Sequence, residues 1–526
     1  RKQRELVWQR HGAWGRARAP LGPLPRGGPP APLLLRRHGL RRAQVFQRRQ
    51  LCLRRQQRRA QQRRAQQRRA QQRRQQPRHV RLRGGPGAPR QFRHCVATRR
   101  REQQGVAVDA LYPALRLGQA ARRQRRRRVD GRRQAKPYAE LWMGDHPSGP
   151  ATARTVAGLS KGCLAQALSE APNLLGPKLS ERKQLPFLMK VLSIQKALSI
   201  QAHPDRVLAA KLHAERPDVY KDANHKPEIA IALTDFEALC GFRPVRELAA
   251  IAAAVPELRA VLGAAAVGGL ARARDAGRAE DEAAALKTAY CALMRAPDEV
   301  ARRELRSLVA RAAGAAVAAT PHEGGGPAGK AVQLALRLHA QFGEDVGVWS
   351  AFFLNYVQMG PGECLYMPAN TPHAYLSGDI VECMACSDNV VRGGLTPKFK
   401  DLDVLCEMLS YKGSGPPAIE PLELDQGARL YGHRDLDEFQ VLHARIGGGS
   451  RRTQSFSDQG PSLGFVWQGS GSVDIGGETI RLAPGVVFLL AAGAEADIVA
   501  DDDLQCFVAS CPPHYFEPVA SQRVAP

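Results

Sequence analysis

The sequence lacks an uninterrupted apolar run long enough to cross a bilayer. Its longest apolar tract, around Leu248 to Leu270, is broken by Pro256, Glu257 and Arg259, whereas a helical span needs about 20 predominantly apolar residues in a row. Near the N-terminus, APLLL is too short for the core of a signal peptide. No membrane partner is expected. A disulfide framework is also missing: the 11 cysteines are scattered at no framework spacing. That pattern implies reduced thiols and an intracellular, cytoplasmic protein. Cys383 and Cys386 form a CxxC with no second one nearby, so they read as buried core cysteines rather than as a redox or zinc pair.

Acidic residues are nearly absent from the first quarter. Residues 1–136 hold 4 Asp+Glu against 41 Lys+Arg, a net of +37, while the remaining 390 residues hold 45 against 37, a net of −8. The overall +29 therefore belongs to the N-terminal quarter, and the body is an ordinary, slightly acidic globular chain. Large apolar residues are scarce in that quarter too, and AQQRR occurs three times in succession from Ala60 to Arg74. With neither helical nor strand periodicity, such a segment cannot offset its ordering entropy, and residues 1–136 are expected to be disordered. Arginine runs such as Arg122 to Arg128 bind phosphate backbones in a salt-dependent way. A solvated tail is the simpler account, and no nucleic-acid partner is expected. The chain starts at Arg1 without an initiator methionine, as a fragment would.

At Lys136 the composition changes to PYAELWMGDHPSGPA, where the folded protein is expected to start. His146, in the loop after Trp142, reads as a loop hydrogen-bonder, because no second donor stands near it. Leu185 to Asp205 reads as two strands, FLMKVLSI and ALSIQAH, with Gln201 and His203 two apart and so on one face. Pro204 biases His203 toward extended geometry. RVLAAKLHAERPDV is a short amphipathic helix, and HKPE (His225 to Glu228) opens the next strand, in which Ile229, Ile231 and Leu233 alternate with alanines.

From about Thr234 to Gly347 four Ala/Leu-rich stretches carry apolar residues at three- and four-residue spacing, the pattern of helices. They predict a helical domain inserted in a β scaffold. Strands return with GPGECLYMPANTPHAYLSGDIVECMACSDN, which delivers His373 from a turn built on Gly362, Pro368 and Asn370. Short strands at regular spacing after about residue 413 predict a second sandwich or small barrel. Where the first unit has PANTPHAYL, this one has LLAAGAEADI, with no histidine.

Gln201, His203, Glu228 and His373 are the metal-ligand candidates. Two imidazoles, one carboxylate and one amide oxygen suit zinc best and other divalent ions less well. One carboxylate against a divalent ion leaves the centre about +1, which favours an anionic intermediate over a neutral ground state.

The same residues carry a family resemblance. QAHPD, HKPE and GECLYMPANTPHAYLSGDIVECMACSDNVVRGGLTPKFKD resemble type I mannose-6-phosphate isomerase, a zinc-dependent cupin family, from about Lys136 to the C-terminus. The resemblance implies a mainly β fold of two cupin (jelly-roll) barrels with an α insertion. The expected layout is a catalytic cupin at 137–233 and 348–412, a helical domain at 234–347, and a C-terminal cupin without metal ligands at 413–526. It implies one zinc ion per chain on Gln201, His203, Glu228 and His373. It further implies Arg392 as essential for turnover, Glu382 as an acidic group in the pocket, and Lys190, Ser199 and Lys226 as polar pocket residues. The activity implied is interconversion of mannose 6-phosphate and fructose 6-phosphate, feeding GDP-mannose synthesis, by a monomer. Arg392, Glu382 and Lys226 are the expected catalytic residues, with Glu382 or a zinc-ordered group shuttling the proton. An impaired phosphosugar-binding cupin and an iron-dependent cupin oxygenase are the competing readings. Two departures stand out. Arg206 occupies a position where many members have lysine, and the family's opening strands with a YxWG motif are replaced by the Arg/Gln-rich segment. Without those strands the first sheet is expected to end on an unpaired edge.

Overall fold

The computed structural model describes residues 105–109, 139–155, 161–318, 326–424, 427–455, 459–475 and 478–516. Its organising element is a 13-residue strand, His373–Ala385, long enough to serve two sheets. The first half pairs antiparallel with Ile200–Ala202 and Phe236–Phe242. The second half pairs antiparallel with Phe187–Ile194 and Glu228–Ala232. Between the halves the register shifts at Tyr375/Ser377, and Gly378 adopts φ 107°. A β-carbon there would lie 2.5 Å from the Asp235 carbonyl oxygen, so glycine is what lets the strand turn this corner.

Strand alternation then sorts the side chains. Along Phe187–Ile194, Phe187, Met189 and Val191 join the core between the two barrels. Leu192 and Ile194 face the first barrel's interior, and Lys190 shares their parity. Along Glu228–Ala232, Ile229 and Ile231 point to the inter-barrel core, while Ala230 and Ala232 point inward with Glu228. The alternation of isoleucine and alanine in the sequence is therefore the alternation of two cores.

The second barrel packs a nine-stranded sheet against a four-stranded one. Two features of this sheet differ from the expected layout. Gly105–Asp109, inside the segment expected to be disordered, is a strand held by backbone pairing to Val487–Leu490 on one side and Thr152–Thr155 on the other. The rest of residues 1–136 lies outside the described residues. Thr152–Thr155 and Lys161–Cys163, inside the stretch assigned to the catalytic barrel, also belong to this second sheet.

The insertion begins later than expected. Phe236–Phe242 is a strand of the first barrel, with Phe236, Ala238 and Cys240 inward and Leu239 and Phe242 toward the helices. The helices run Val245–Ala254, Pro256–Ala276, Ala279–Met294, Asp298–Ala318 and Pro327–Phe342. The first predicted stretch is thus two helices, bent by 120°, because Pro256 holds Val255 extended at φ −113°, ψ 96° and starts a new helix at its first position. No single helix among the described residues is long and apolar enough to cross a membrane. Glu140–Met143 pairs with Phe187–Ile194 alone among the described residues.

Candidate metal centre and active site

Four strands align one row across the first sheet: Arg392 faces Gln201, Gln201 faces His373, and His373 faces Cys240. Directly opposed residues share a face, so this register carries Arg392 and Gln201 to the side of the barrel that holds His373. The opposing sheet contributes a second row, Trp142, Lys190, Glu382 and Ala230, with Glu228 one pleat away opposite Met384.

His203 follows the Gln201 strand directly, and a turn binds it to the His373 loop. Asn370 donates its backbone N–H to the His203 carbonyl at 2.7 Å and its amide to Asp205 at 2.9 Å. Asp205 meanwhile caps the helix Arg206–Glu215 by accepting from Leu208 N at 2.9 Å. Asn370 sits at φ 62°, a left-handed conformation that asparagine tolerates. The PAN and HPD motifs, far apart in sequence, are thus one structural unit.

His203, Glu228 and His373 converge, each offering a ligand atom within 4.8 Å of the others, the sole such group of histidine, cysteine and acidic residues among the described residues. His203 Nε2 lies 3.5 Å from Glu228 Oε1, and His373 Nε2 lies 3.4 Å from Glu228 Oε2. All three residues are at most 2% exposed, and His203 Nε2, His373 Nε2 and Glu228 Oε2 have no hydrogen-bond partner. Three buried, convergent, unsatisfied ligand atoms call for a cation. Zinc bonds of about 2.1 Å bring ligand atoms to roughly 3.4 Å from one another, and these donors already lie within 4.8 Å. Each imidazole turns its other nitrogen to a backbone carbonyl: His203 Nδ1 to Asn389 at 2.7 Å and His373 Nδ1 to Thr371 at 3.0 Å. These bonds select the tautomer that leaves Nε2 free to ligate. Gln201, half-buried, is the register partner of His373 on the neighbouring strand.

Electrostatics support this donor set. Burial lowers the His203 pKa to about 4 against the pull of Glu228, so the ring is neutral at ordinary pH. Burial opposes ionisation of Glu228, and His203 and Lys226 outweigh it, holding its carboxyl well below the usual range. Lys226 Nζ lies 3.4 Å from Glu228 Oε1. Deeper in the barrel, Lys190 Nζ lies 3.2 Å from Glu382 Oε2, and the Tyr375 hydroxyl donates to Glu382 Oε1 at 2.8 Å. Burial and the Glu228 charge raise the pKa of Glu382 against the pull of Lys190. Burial tends to deprotonate Lys190, and Glu382, Glu140 and Glu228 reverse that tendency. Lys190 also lies 4.6 Å above the Trp142 ring. Arg392 is half-buried with its pKa lowered by burial, and no carboxylate is paired with it among the described ion pairs. Ser199 is half-buried two residues before Gln201.

Other candidates fall outside this cluster. His146 accepts from Ser148 N at 3.2 Å and meets the Trp142 ring edge-on, a loop hydrogen-bonder as expected. Cys383 packs in the inter-barrel core, and Cys386 donates to the Leu185 carbonyl, so neither is a ligand. Arg206 pairs with Asp437 and Glu438 of the second barrel. Sequence reasoning missed Tyr375, although it lies two residues from His373 on a strand and so shares its face. It also missed Cys240, whose thiol is pushed up to about 12 by burial and by Glu228. Only the register reveals that position.

A jelly-roll barrel with two histidines, two carboxylates and three cations in its interior defines a metal-dependent cupin-type enzyme suited to an anionic substrate. The chain belongs to the type I phosphomannose isomerase family. Residues 117–245 match the family's catalytic domain and residues 261–354 its helical insertion domain, so the first match starts inside the segment expected to be disordered. Mannose-6-phosphate isomerase 2 of Arabidopsis thaliana is 40% identical over 70% of this chain and 83% of its own. The Bos taurus mannose-6-phosphate isomerase is 39% identical over 72% and 89%. A crystal structure of a zinc-bound mannose 6-phosphate isomerase superposes with TM-score 0.60 at 26% identity, covering 72% of this chain and 92% of that one. A phosphomannose isomerase variant from Salmonella typhimurium, 24% identical, shares the fold at TM-score 0.62 over 78% of this chain and all of that one.

Proposed function

We propose that the first barrel interconverts mannose 6-phosphate and fructose 6-phosphate with one zinc ion on His203, Glu228, His373 and Gln201. The observation that carries this reading is the trio of buried, unpartnered ligand atoms in a chain of this family. Bound there, zinc supplies a Lewis acid that polarises the sugar oxygens and offsets the charge that develops on them. The protein's own groups do the rest. Lys190, Lys226 and Arg392 against Glu228 and Glu382 leave the interior one positive charge before any metal is counted, a field that favours a sugar phosphate. Arg392, with no carboxylate partner, is free to hold phosphate or a developing enediolate.

Isomerisation takes a proton from C2, returns one to C1, and moves the hydroxyl hydrogen from O2 to O1. Glu382, hydrogen-bonded to Tyr375 and paired with Lys190, has the raised carboxyl pKa that a proton-shuttling group requires. The nine described cysteines are all free, as in a reducing cytoplasm.

The test is a coupled assay for fructose 6-phosphate formed from mannose 6-phosphate, with and without a chelator. Activity abolished by chelation and restored by zinc is expected. Binding of the sugar phosphate without turnover would replace this reading with an inactive phosphosugar-binding cupin, and O₂ consumption with Fe(II) would replace it with an oxygenase.

A further inference from the structure

The two imidazoles are held in different ways. His373 is oriented by its own turn, through Thr371 two residues away. His203 is oriented by Asn389, 186 residues away in sequence. The position of the Asn389 carbonyl must itself be fixed, and the loop that carries it, residues 386–390 between the His373–Ala385 and Val391–Gly394 strands, has no regular structure.

That loop is folded around one side chain. Asp222 Oδ1 accepts from the Ser387 hydroxyl at 2.8 Å and from Asn389 Nδ2 at 3.2 Å. Asp222 Oδ2 accepts from the backbone N–H of Asp388 at 2.8 Å. The Asp222 carbonyl accepts from Asn389 Nδ2 at 2.7 Å, and Asn224 O accepts from the same amide at 2.9 Å. Ser387 and Asn389 are each 1% exposed, so water cannot easily replace these bonds. Three consecutive residues, 387 to 389, are thus tied to Asp222, and the third turns its carbonyl onto His203. Three residues further along the chain stands Arg392.

We propose that Asp222 is a positioning residue for the metal centre: by clamping the 387–389 loop it sets the orientation of His203 and thereby the affinity for zinc. This inference rests on the metal-centre reading above. The Asp222 carboxylate accepts hydrogen bonds from the 387–389 loop and from none of the metal-ligand candidates. Without its carboxylate, the Asp388 N–H loses its acceptor and Ser387 and Asn389 keep only the backbone carbonyls of residues 222 and 224, so the Asn389 carbonyl is aimed less firmly and the His203 ring pays entropy to find its ligating orientation. Loss of a group behind a metal ligand characteristically weakens binding by about 10–100-fold.

The experiment measures zinc affinity by chelator competition, together with the melting temperature of the zinc-free protein. For Asp222→Ala the zinc dissociation constant should rise about 10–100-fold, and the absorption spectrum of the cobalt-substituted form should change. Asp222→Asn retains an acceptor for Ser387 but sets an N–H against that of Asp388, so an intermediate rise is expected, and this variant carries the test if the alanine variant does not fold. Glu257→Gln, which weakens a pair with Arg311 in the helical insertion, should change melting without changing zinc affinity. Wild-type zinc affinity in folded Asp222→Ala or Asp222→Asn would overturn the inference and leave the metal centre standing. A wild-type protein that binds no zinc would overturn both.

Discussion

The two barrels of this chain are built alike and filled differently. The second barrel's interior is apolar throughout its core, from Ile446 and Val466 to Ile498 and Leu504. The Phe488 ring fills its centre so closely that a β-carbon at Gly464 would lie 2.2 Å from the ring. The first barrel keeps an apolar shell that runs from Ala230 and Ala238 to Phe236 and Tyr375 and fills the remaining space with Lys190, Lys226, His203, Glu228, His373 and Glu382, all buried. Charges in such a place persist only when paired or bound to a metal. Here each carboxylate has a lysine, and the three ligand atoms left over converge on one point. The second barrel also holds a buried histidine, His443, but it faces the inter-barrel layer, stacked on Phe507 at 4.3 Å. A histidine serves as a ligand only when register brings a carboxylate and a second donor to meet it.

The sharpest way to break this comparison is to empty the first barrel of a ligand. His373→Ala should lose zinc, measured by metal analysis, and fall to the activity of chelated wild type, a loss beyond the ~10–100-fold typical of residues behind the ligands. Arg392→Ala should keep its zinc and lose about 10²–10³ in kcat, the scale of a removed charge-stabilising donor. Zinc loss in that variant, or normal turnover, would remove Arg392 from the role given to it.

The converse substitution is in the second barrel. Phe488→Ala should destabilise the protein by about 3–5 kcal/mol through the cavity it leaves, read as a lower denaturation midpoint, with zinc affinity unchanged in the folded fraction. A change in zinc affinity would show that the two interiors are coupled through the shared layer.

The smallest effect concerns His443. Burial, with Arg445 and Arg429, lowers its pKa to about 4, against about 6.5 in an unfolded chain. The unfolded state therefore binds a proton that the folded state refuses, so its contribution to stability is intact above about pH 6.5 and falls as pH drops toward 4. The slope is at most ~1.4 kcal/mol per pH unit. In zinc-free protein, His443→Gln should be slightly less stable than wild type at pH 8 and lose that deficit as the pH approaches 4. Parallel stability curves for the two proteins would mean that His443 takes up its proton at the same pH in the folded and unfolded states.

Much of this was legible in the chain. QxH on one strand face, HKPE at the head of an Ile/Ala alternation and His373 after its Asn370 turn each follow from period-two geometry and turn chemistry. Those local rules do not reach the contents of a row across four strands. Cys240 was assigned to the helical insertion because Ala and Leu dominate the sequence after it, and the short strand at Phe236–Phe242 exists because the first half of the His373 strand and Leu354–Met359 offer it partners on both sides. Gly105–Asp109 was hidden for the same reason. Its surroundings are arginine-rich, and its strand is made by backbone pairing to residues nearly 400 positions away. The break at Pro256, by contrast, is visible in the sequence, where a proline inside an apolar tract both interrupts it and starts a second helix.

By itself the sequence determined the ligand types, their placement on strands and the contrast between a barrel whose turn delivers a histidine and one whose matching turn has none, because side-chain alternation and turn residues act within a few positions. Only the tertiary structure decided that Gln201 stands between Arg392 and His373, that Lys190 answers Glu382, and that His203 takes its orientation from a loop folded around Asp222. Those relations are set by strand register and loop packing between segments as much as 190 residues apart, where the free energy of one contact depends on all the others that hold the sheets in place.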